Sequence, residues 1–127
     1  MPDSLTPQQL QYLHTQRLGR LATVDGSGAP QNNPVGFVVD DDTGQVLIGG
    51  FRMGDTRKFR NVLGNPQVAL VVDDLASVDP WRPRMVEIRG TAEALSDIDP
   101  PMQGMSRDVI RITPTRIISF GLDDDPR

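Results

Sequence analysis

The chain has 127 residues, with 13 Lys plus Arg against 17 Asp plus Glu, one His and no Cys. That length fits one domain burying roughly two thirds of the unfolded chain's surface, with no room for a second catalytic domain or a large self-contained ligand cavity. The absence of cysteine excludes disulfides, iron–sulfur clusters and a thiol nucleophile; a lone His14 argues against a zinc site or a Ser-His-Asp triad; and a net charge of −4 argues against general nucleic-acid binding.

Thr6-Pro7-Gln8-Gln9 is a helix start, with Thr as N-cap, Pro at the first helical position and Gln three residues after the cap. Leu10, Leu13 and Leu18 give it a partly apolar face to about Arg17, and Gly19 is the expected stop. The period then changes to two. Strands are expected over Arg20–Val24, Gln31–Asp40 and Gln45–Gly49, joined by the turns Asp25-Gly26-Ser27-Gly28 and Asp41-Asp42-Thr43-Gly44. Pro34 cannot donate to a ladder, so it marks an edge, a bulge or a break. A short helix over about Asp55–Leu63 follows, with Asp55 as N-cap and Asn65-Pro66 as stop. Gln67–Val72 reads as a buried strand, Asp73–Pro83 as a polar loop carrying the single Trp81, and Arg84–Leu95 as a long strand. Residues 96–106 are irregular. Val109–Ile112 and Arg116–Phe120 close the chain as two more strands, before an acidic tail.

Six or seven strands, two short helices and frequent turns suit a small antiparallel barrel or sandwich, and a barrel with helices at its seams is the expected architecture. No apolar run approaches the ~20 residues that span a bilayer, and Met1 leads into a polar helix signal rather than a secretory peptide. The expectation is a cytoplasmic single domain over 1–127, frayed at 1–5 and 123–127, with no membrane insertion, no nucleic acid and no metal.

Twelve of the 13 basic residues are Arg, and Lys58 is the only Lys. A GC-rich codon bias accounts for the Arg excess but not for the place of the exception. Lys58 falls in Gly49-Gly50-Phe51-Arg52-Met53-Gly54-Asp55-Thr56-Arg57-Lys58-Phe59-Arg60-Asn61, where residues 52–60 hold four positive charges and one negative. Glycines let backbone N–H groups approach an anion, and a helix N-terminus adds a partial positive charge of roughly half a unit. Phe59, Val62 and Leu63 form one helix face; Arg57, Arg60 and Asn61 lie opposite, with Lys58 at the border. A border lysine can lay its stem on the barrel and reach a phosphate at the sheet edge. The same pattern also describes a solvated basic face. Asn32-Asn33-Pro34-Val35-Gly36 is a second irregular patch, able to leave backbone groups free for a planar heterocycle or to serve as a plain bulge. Trp81 can stack on a ring or simply cap an interface. No residue stands out as a protein general acid.

The stretches Arg17–Val24, Pro30–Gly36, Thr56–Val62 with Asn65-Pro66, and Val68–Val71 together resemble the pyridoxamine 5′-phosphate oxidase-like superfamily. Val71–Leu75, Asp79–Arg82 and Glu87–Glu93 are similar to its branch that uses the deazaflavin coenzyme F420. The resemblance covers about residues 10–122. It implies a mainly β (α+β) fold, a six-stranded antiparallel split β-barrel of the FMN-binding type, that forms a homodimer with cofactor sites at the subunit interface. Carried onto this chain, the phosphates would meet Thr56, Arg57, Lys58 and Asn61. The ring system would lie along Asn33, Pro34, Val35, Ile48, Gly49 and Gly50, with Trp81 supplied by the other subunit. The implied activity is F420-dependent hydride transfer to a small conjugated or quinone-like substrate. An FMN-binding oxidoreductase, or a deazaflavin- or tetrapyrrole-binding protein without turnover, is the alternative. The longer C-terminal segment with substrate-binding Arg and His found in the vitamin B6 oxidases has no counterpart here, so B6 oxidation is not expected.

Overall fold

The computed structural model describes residues 1–122; the acidic tail expected to fray at 123–127 lies outside the described residues. The elements are α1 (Pro7–His14), β1 (Leu18–Val24), β2 (Pro30–Val39), β3 (Val46–Ile48), a 3-10 turn (Met53–Asp55), α2 (Arg57–Gly64), β4 (Gln67–Ser77), β5 (Arg82–Leu95) and β6 (Val109–Phe120). All neighbouring strands are antiparallel, and they close a six-stranded barrel in the order β1-β2-β3-β6-β5-β4. No helix among the described residues is long and apolar enough to cross a membrane.

Alternation places the core. Val68, Leu70 and Val72 of β4, Val86 and Ile88 of β5, Ile110 and Ile112 of β6, and Val46 and Ile48 of β3 are buried in one cluster, while intervening side chains face outward. At about 25 cal/mol per Å² of apolar surface, this shared interior is the dominant stabilising term. Pro34 is accommodated because β3 meets β2 only at Phe37, Val38 and Val39, leaving residues 30–36 paired with β1 alone. It therefore sits on an open edge, where a missing N–H costs no ladder bond.

The structure corrects several local expectations. α1 has its capping box at Thr6 and Gln9, but it ends at His14, five residues before Gly19, where the Thr15 hydroxyl donates to the Tyr12 carbonyl at 2.6 Å. Gly19 lies inside β1 opposite Val35. Most of the expected loop at 73–83 is strand, since β4 and β5 stay paired out to Ser77 and Arg82. Beyond the barrel wall the arms of this hairpin lose a buried face, so the hydrophobic alternation that signals a strand fades. The two closing strands are one, β6, with a register shift opposite Arg89 and Gly90. A Cβ on Gly90 would collide with the Thr113 carbonyl oxygen, so only glycine lets the strands close up at this irregularity.

α2 differs in cap and in face. Thr56, not Asp55, is the N-cap: its hydroxyl accepts from the Phe59 N–H at 3.3 Å and donates to the Met53 carbonyl at 2.7 Å. Asp55 instead pairs with Arg52 at 3.0 Å. Phe59 and Val62 are buried as expected, but Leu63 is 68% exposed and Asn61 only 8%. Lys58 precedes Asn61 by three residues and Val62 by four and is half-buried, at the border of the buried face.

Candidate functional site

An open groove of about 310 Å³ runs between Pro34–Gly36 of β2, the segment Gly49–Met53 after β3, and the start of α2 at Thr56 and Lys58, with Met105 on the far wall. Each wall has a local cause. The open edge of β2 exposes backbone beside Pro34. β3 ends after three residues, and the chain turns through Gly49 and Gly50 into the 3-10 turn that launches α2. Six of the residues expected at the site, Pro34, Val35, Gly49, Gly50, Thr56 and Lys58, are thereby brought together.

The others lie elsewhere. Asn33 is one step back along β2, opposite Leu21. The Ile48 side chain is wholly buried in the barrel core. Arg57 points to solvent, close enough to Asp25 to help hold that carboxyl below its ordinary range, after the larger effects of hydrogen bonds from Ser27 and Ala29. Asn61 is turned into the barrel wall, where its amide donates to Thr23 Oγ1 at 3.0 Å and Gln31 Oε1 at 3.1 Å. Trp81 stands at the tip of the β4–β5 hairpin, 66% exposed and outside the groove.

Gly36, Phe51, Arg52, Met53 and Met105 also line the groove and were not among the expected residues. Gly36 and Arg52 sit inside the two irregular stretches, and their neighbourhood was the available signal. Phe51, 79% exposed, breaks the rule that a large apolar side chain is buried. Met105 belongs to the aperiodic segment at 96–106, which carries no local signal.

Electrostatics single out Lys58. It is half-buried, and burial lowers the pKa of its ammonium below the ordinary lysine value. Among the described residues it has no hydrogen bond or ion pair, whereas the neighbouring Arg52 is tied to Asp55 and Arg60 reaches the Asp55 carbonyl at 3.4 Å. The N–H groups of Arg57 and Lys58 occupy the first turn of α2, where no intrahelical acceptor exists. A partly desolvated cation on the first turn of a helix with two free amides is chemically suited to an anion. The lining contains no His, Asp or Glu.

These residues fit a phosphorylated, planar cofactor at one end of the groove: Lys58 and the α2 amides for the phosphate, and the backbone of Pro34–Gly36 and Gly50 for a ring. Above Gly49 the floor is already covered by Met105 and Pro101.

A family profile described as pyridoxamine 5′-phosphate oxidase matches residues 5–120. The chain belongs to the pyridoxamine 5′-phosphate oxidase family. Within curated relatives, it is 44% identical over 126 residues to the 5a,11a-dehydrotetracycline/5a,11a-dehydrooxytetracycline reductase of Streptomyces rimosus, covering 94% of this chain and 85% of that one. Solved structures share the split-barrel fold of the family at lower identity. A conserved hypothetical protein from Mycobacterium tuberculosis superposes with a TM-score of 0.72 at 19% identity, covering 92% of this chain and 85% of that one. A structure described as an F420 reductase gives 0.62 at 24% identity, covering 81% and 90%. The haem storage protein HutZ of Vibrio cholerae gives 0.66 at 18% identity, covering 94% and 97%.

Proposed function

We propose that the protein is an oxidoreductase that uses the deazaflavin coenzyme F420 to reduce a small conjugated or quinone-like substrate, at a groove completed by a second copy of the chain. The observation that carries this reading is Lys58: a half-buried ammonium with no counter-ion among the described residues, at the head of a helix whose first amides are free. The 44%-identical relative named as a reductase supports oxidoreductase chemistry. The preference for deazaflavin over FMN rests on the sequence stretches around Val71–Leu75, Asp79–Arg82 and Glu87–Glu93.

Hydride transfer would be chemistry supplied by the deazaflavin when bound, rather than by the protein. The chain's own residues bind and orient. Lys58 and the N–H groups of Arg57 and Lys58 take the phosphate, and Thr56 fixes the helix start through its bonds to Phe59 and Met53. Pro34–Gly36 and Gly50 present backbone to a ring face. With no His, Asp or Glu in this chain's lining, the proton that completes reduction would come from solvent or from the substrate. Trp81 at the exposed hairpin tip, with Leu75 and Val78 also exposed on that hairpin, supports its use by a second copy.

The test is turnover. Purified protein, reduced deazaflavin and a panel of enones and quinones are expected to react faster than cofactor and substrate alone. The same lack of a lining acid favours a second reading, a carrier that binds the deazaflavin without turnover. Tight binding with no acceleration across the panel would select it.

A further inference from the structure

The chain between β5 and β6 ends in a strap, Ser106-Arg107-Asp108, that grips two segments at once. The Arg107 side chain holds Asp97 and Asp99, each at 3.1 Å, and its carbonyl accepts from the Ile98 N–H at 3.0 Å. Ser106 and Asp108 meet the segment that leads from β3 into α2. The Ser106 N–H donates to the Gly50 carbonyl at 2.9 Å, and Ser106 Oγ accepts from the Met53 N–H at 3.3 Å. A Cβ on Gly54 would collide with the Asp108 carboxylate, so the strap lies against the 3-10 turn itself.

Met53 passes that grip on to the helix. Its side chain is 1% exposed and anchors it in the core. A buried backbone N–H needs an acceptor, and among the described residues the Ser106 hydroxyl is the one Met53 has. The Met53 carbonyl accepts twice from Thr56, from the N–H at 3.0 Å and from Oγ1 at 2.7 Å. The Thr56 hydroxyl in turn accepts from the Phe59 N–H at 3.3 Å and so caps α2, with Lys58 in its first turn. Ser106, Met53, Thr56 and α2 thus form one continuous relay of hydrogen bonds.

Resting on the proposed function above, we infer that Ser106 is a positioning residue for the cationic end of the groove: through Met53 and Thr56 it fixes the first turn of α2, and with it the place of the Lys58 ammonium. Charge-assisted hydrogen bonds weaken steeply as distance and angle depart from the optimum. A displaced first turn therefore loses phosphate affinity with every group that touches the phosphate still present.

Lys58 is the only Lys, so protein grown with 13C-lysine carries one labelled side chain that reports its surroundings. Arg52 is the other charged residue of the lining, and Asp55, Arg57 and Arg60 are the further charges of that segment; all are the same in every variant tested. In the wild type the signal is expected to titrate below the ordinary lysine value, since Lys58 is half-buried. Ser106→Ala removes the acceptor of the Met53 N–H. It is expected to move that midpoint up toward the ordinary value and to weaken deazaflavin binding at least threefold. Ser106→Thr keeps the hydroxyl and is expected to restore both. Thr56→Ala, which cuts the relay one step nearer to Lys58, is expected to match Ser106→Ala. Arg107→Ala, which frees only the other side of the strap, is expected to leave both at their wild-type values. An unchanged midpoint or an unchanged affinity in Ser106→Ala, even with a lowered melting temperature, would overturn the inference. So would an equal effect from Arg107→Ala. A midpoint that responds to Ser106→Ala in a protein that binds no deazaflavin would sink the cofactor reading and leave the relay. Deazaflavin binding that ignores Ser106→Ala would do the reverse.

Discussion

Two partly buried cations of this barrel, Arg84 and Lys58, have surroundings that differ completely. Arg84 of β5 is held by Asp74, with its Nε 2.8 Å from the carboxylate, and its guanidinium lies 5.2 Å over the Tyr12 ring. Tyr12 and Gln16 also donate to Asp74, at 2.9 and 3.2 Å. The Arg84 hydrogen bond holds the Asp74 carboxyl below its ordinary range, and burial, aided by Asp74, pushes the Tyr12 hydroxyl well up. Every charge and dipole there is matched within the protein, and the result is a pin between α1 and the β4–β5 hairpin. Lys58 has no such partners. A buried charge without a partner costs folding free energy, and a receptor site is where that cost is tolerated. Arg84 serves the fold; in the proposed function Lys58 is the group that meets the cofactor's phosphate.

Substitutions break this contrast in opposite directions. Lys58→Ala is expected to weaken deazaflavin binding at least tenfold, in line with about 1.5–3 kcal/mol for a charge-assisted contact, while the melting temperature holds or rises. Calorimetric titration beside a thermal melt reads both. Asp74→Ala is expected to do the reverse, costing about 1.5 kcal/mol of stability by removing the carboxylate that Arg84, Tyr12 and Gln16 all bond, with deazaflavin affinity unchanged. Urea unfolding measures it, and a loss of binding without a loss of stability would contradict the division. Asn61→Leu sits between them. It removes the amide that holds α2 to Thr23 and Gln31, so about 1 kcal/mol of stability and a few-fold loss of cofactor affinity are expected together.

The smallest effect is in acid. The folded Asp74 carboxyl titrates below its unfolded counterpart. Its contribution is therefore complete above the ordinary carboxylate range and is lost as pH falls through the folded value. Unfolding free energy measured against pH should decline there in the wild type and decline less in Asp74→Asn.

The contrast also explains what could be read from the chain alone. The barrel was legible because Val68, Leu70 and Val72, and Val86 and Ile88, alternate against a shared interior. The β4–β5 arm was not, because residues 73–76 leave the wall and keep no buried face to alternate about. β6 was read as two strands because Pro114 interrupts the pattern, and the glycine opposite that absorbs the irregularity lies in another strand. At the site, glycines, Pro34 and the basic cluster announced themselves locally. Asn61 did not: its buried partners Thr23 and Gln31 are distant in sequence, and helical phase counted from Phe59 turns the face the wrong way. Met105 and Ser106 come from an aperiodic loop, and only the folded chain carries them to Gly49 and Gly50.

The central claim is that the groove beside Lys58 takes a phosphorylated deazaflavin. Titrating the wild type with deazaflavin and FMN side by side, across alkaline pH, tests it most directly. Deazaflavin should bind more tightly than FMN. Its affinity should stay level while Lys58 is protonated, then fall at a pH below the ordinary lysine value of 10.5, because burial lowers the ammonium's pKa and a phosphate binds the charged form more tightly. Tighter binding of FMN, or a deazaflavin affinity identical in wild type and Lys58→Ala throughout that range, would contradict the account.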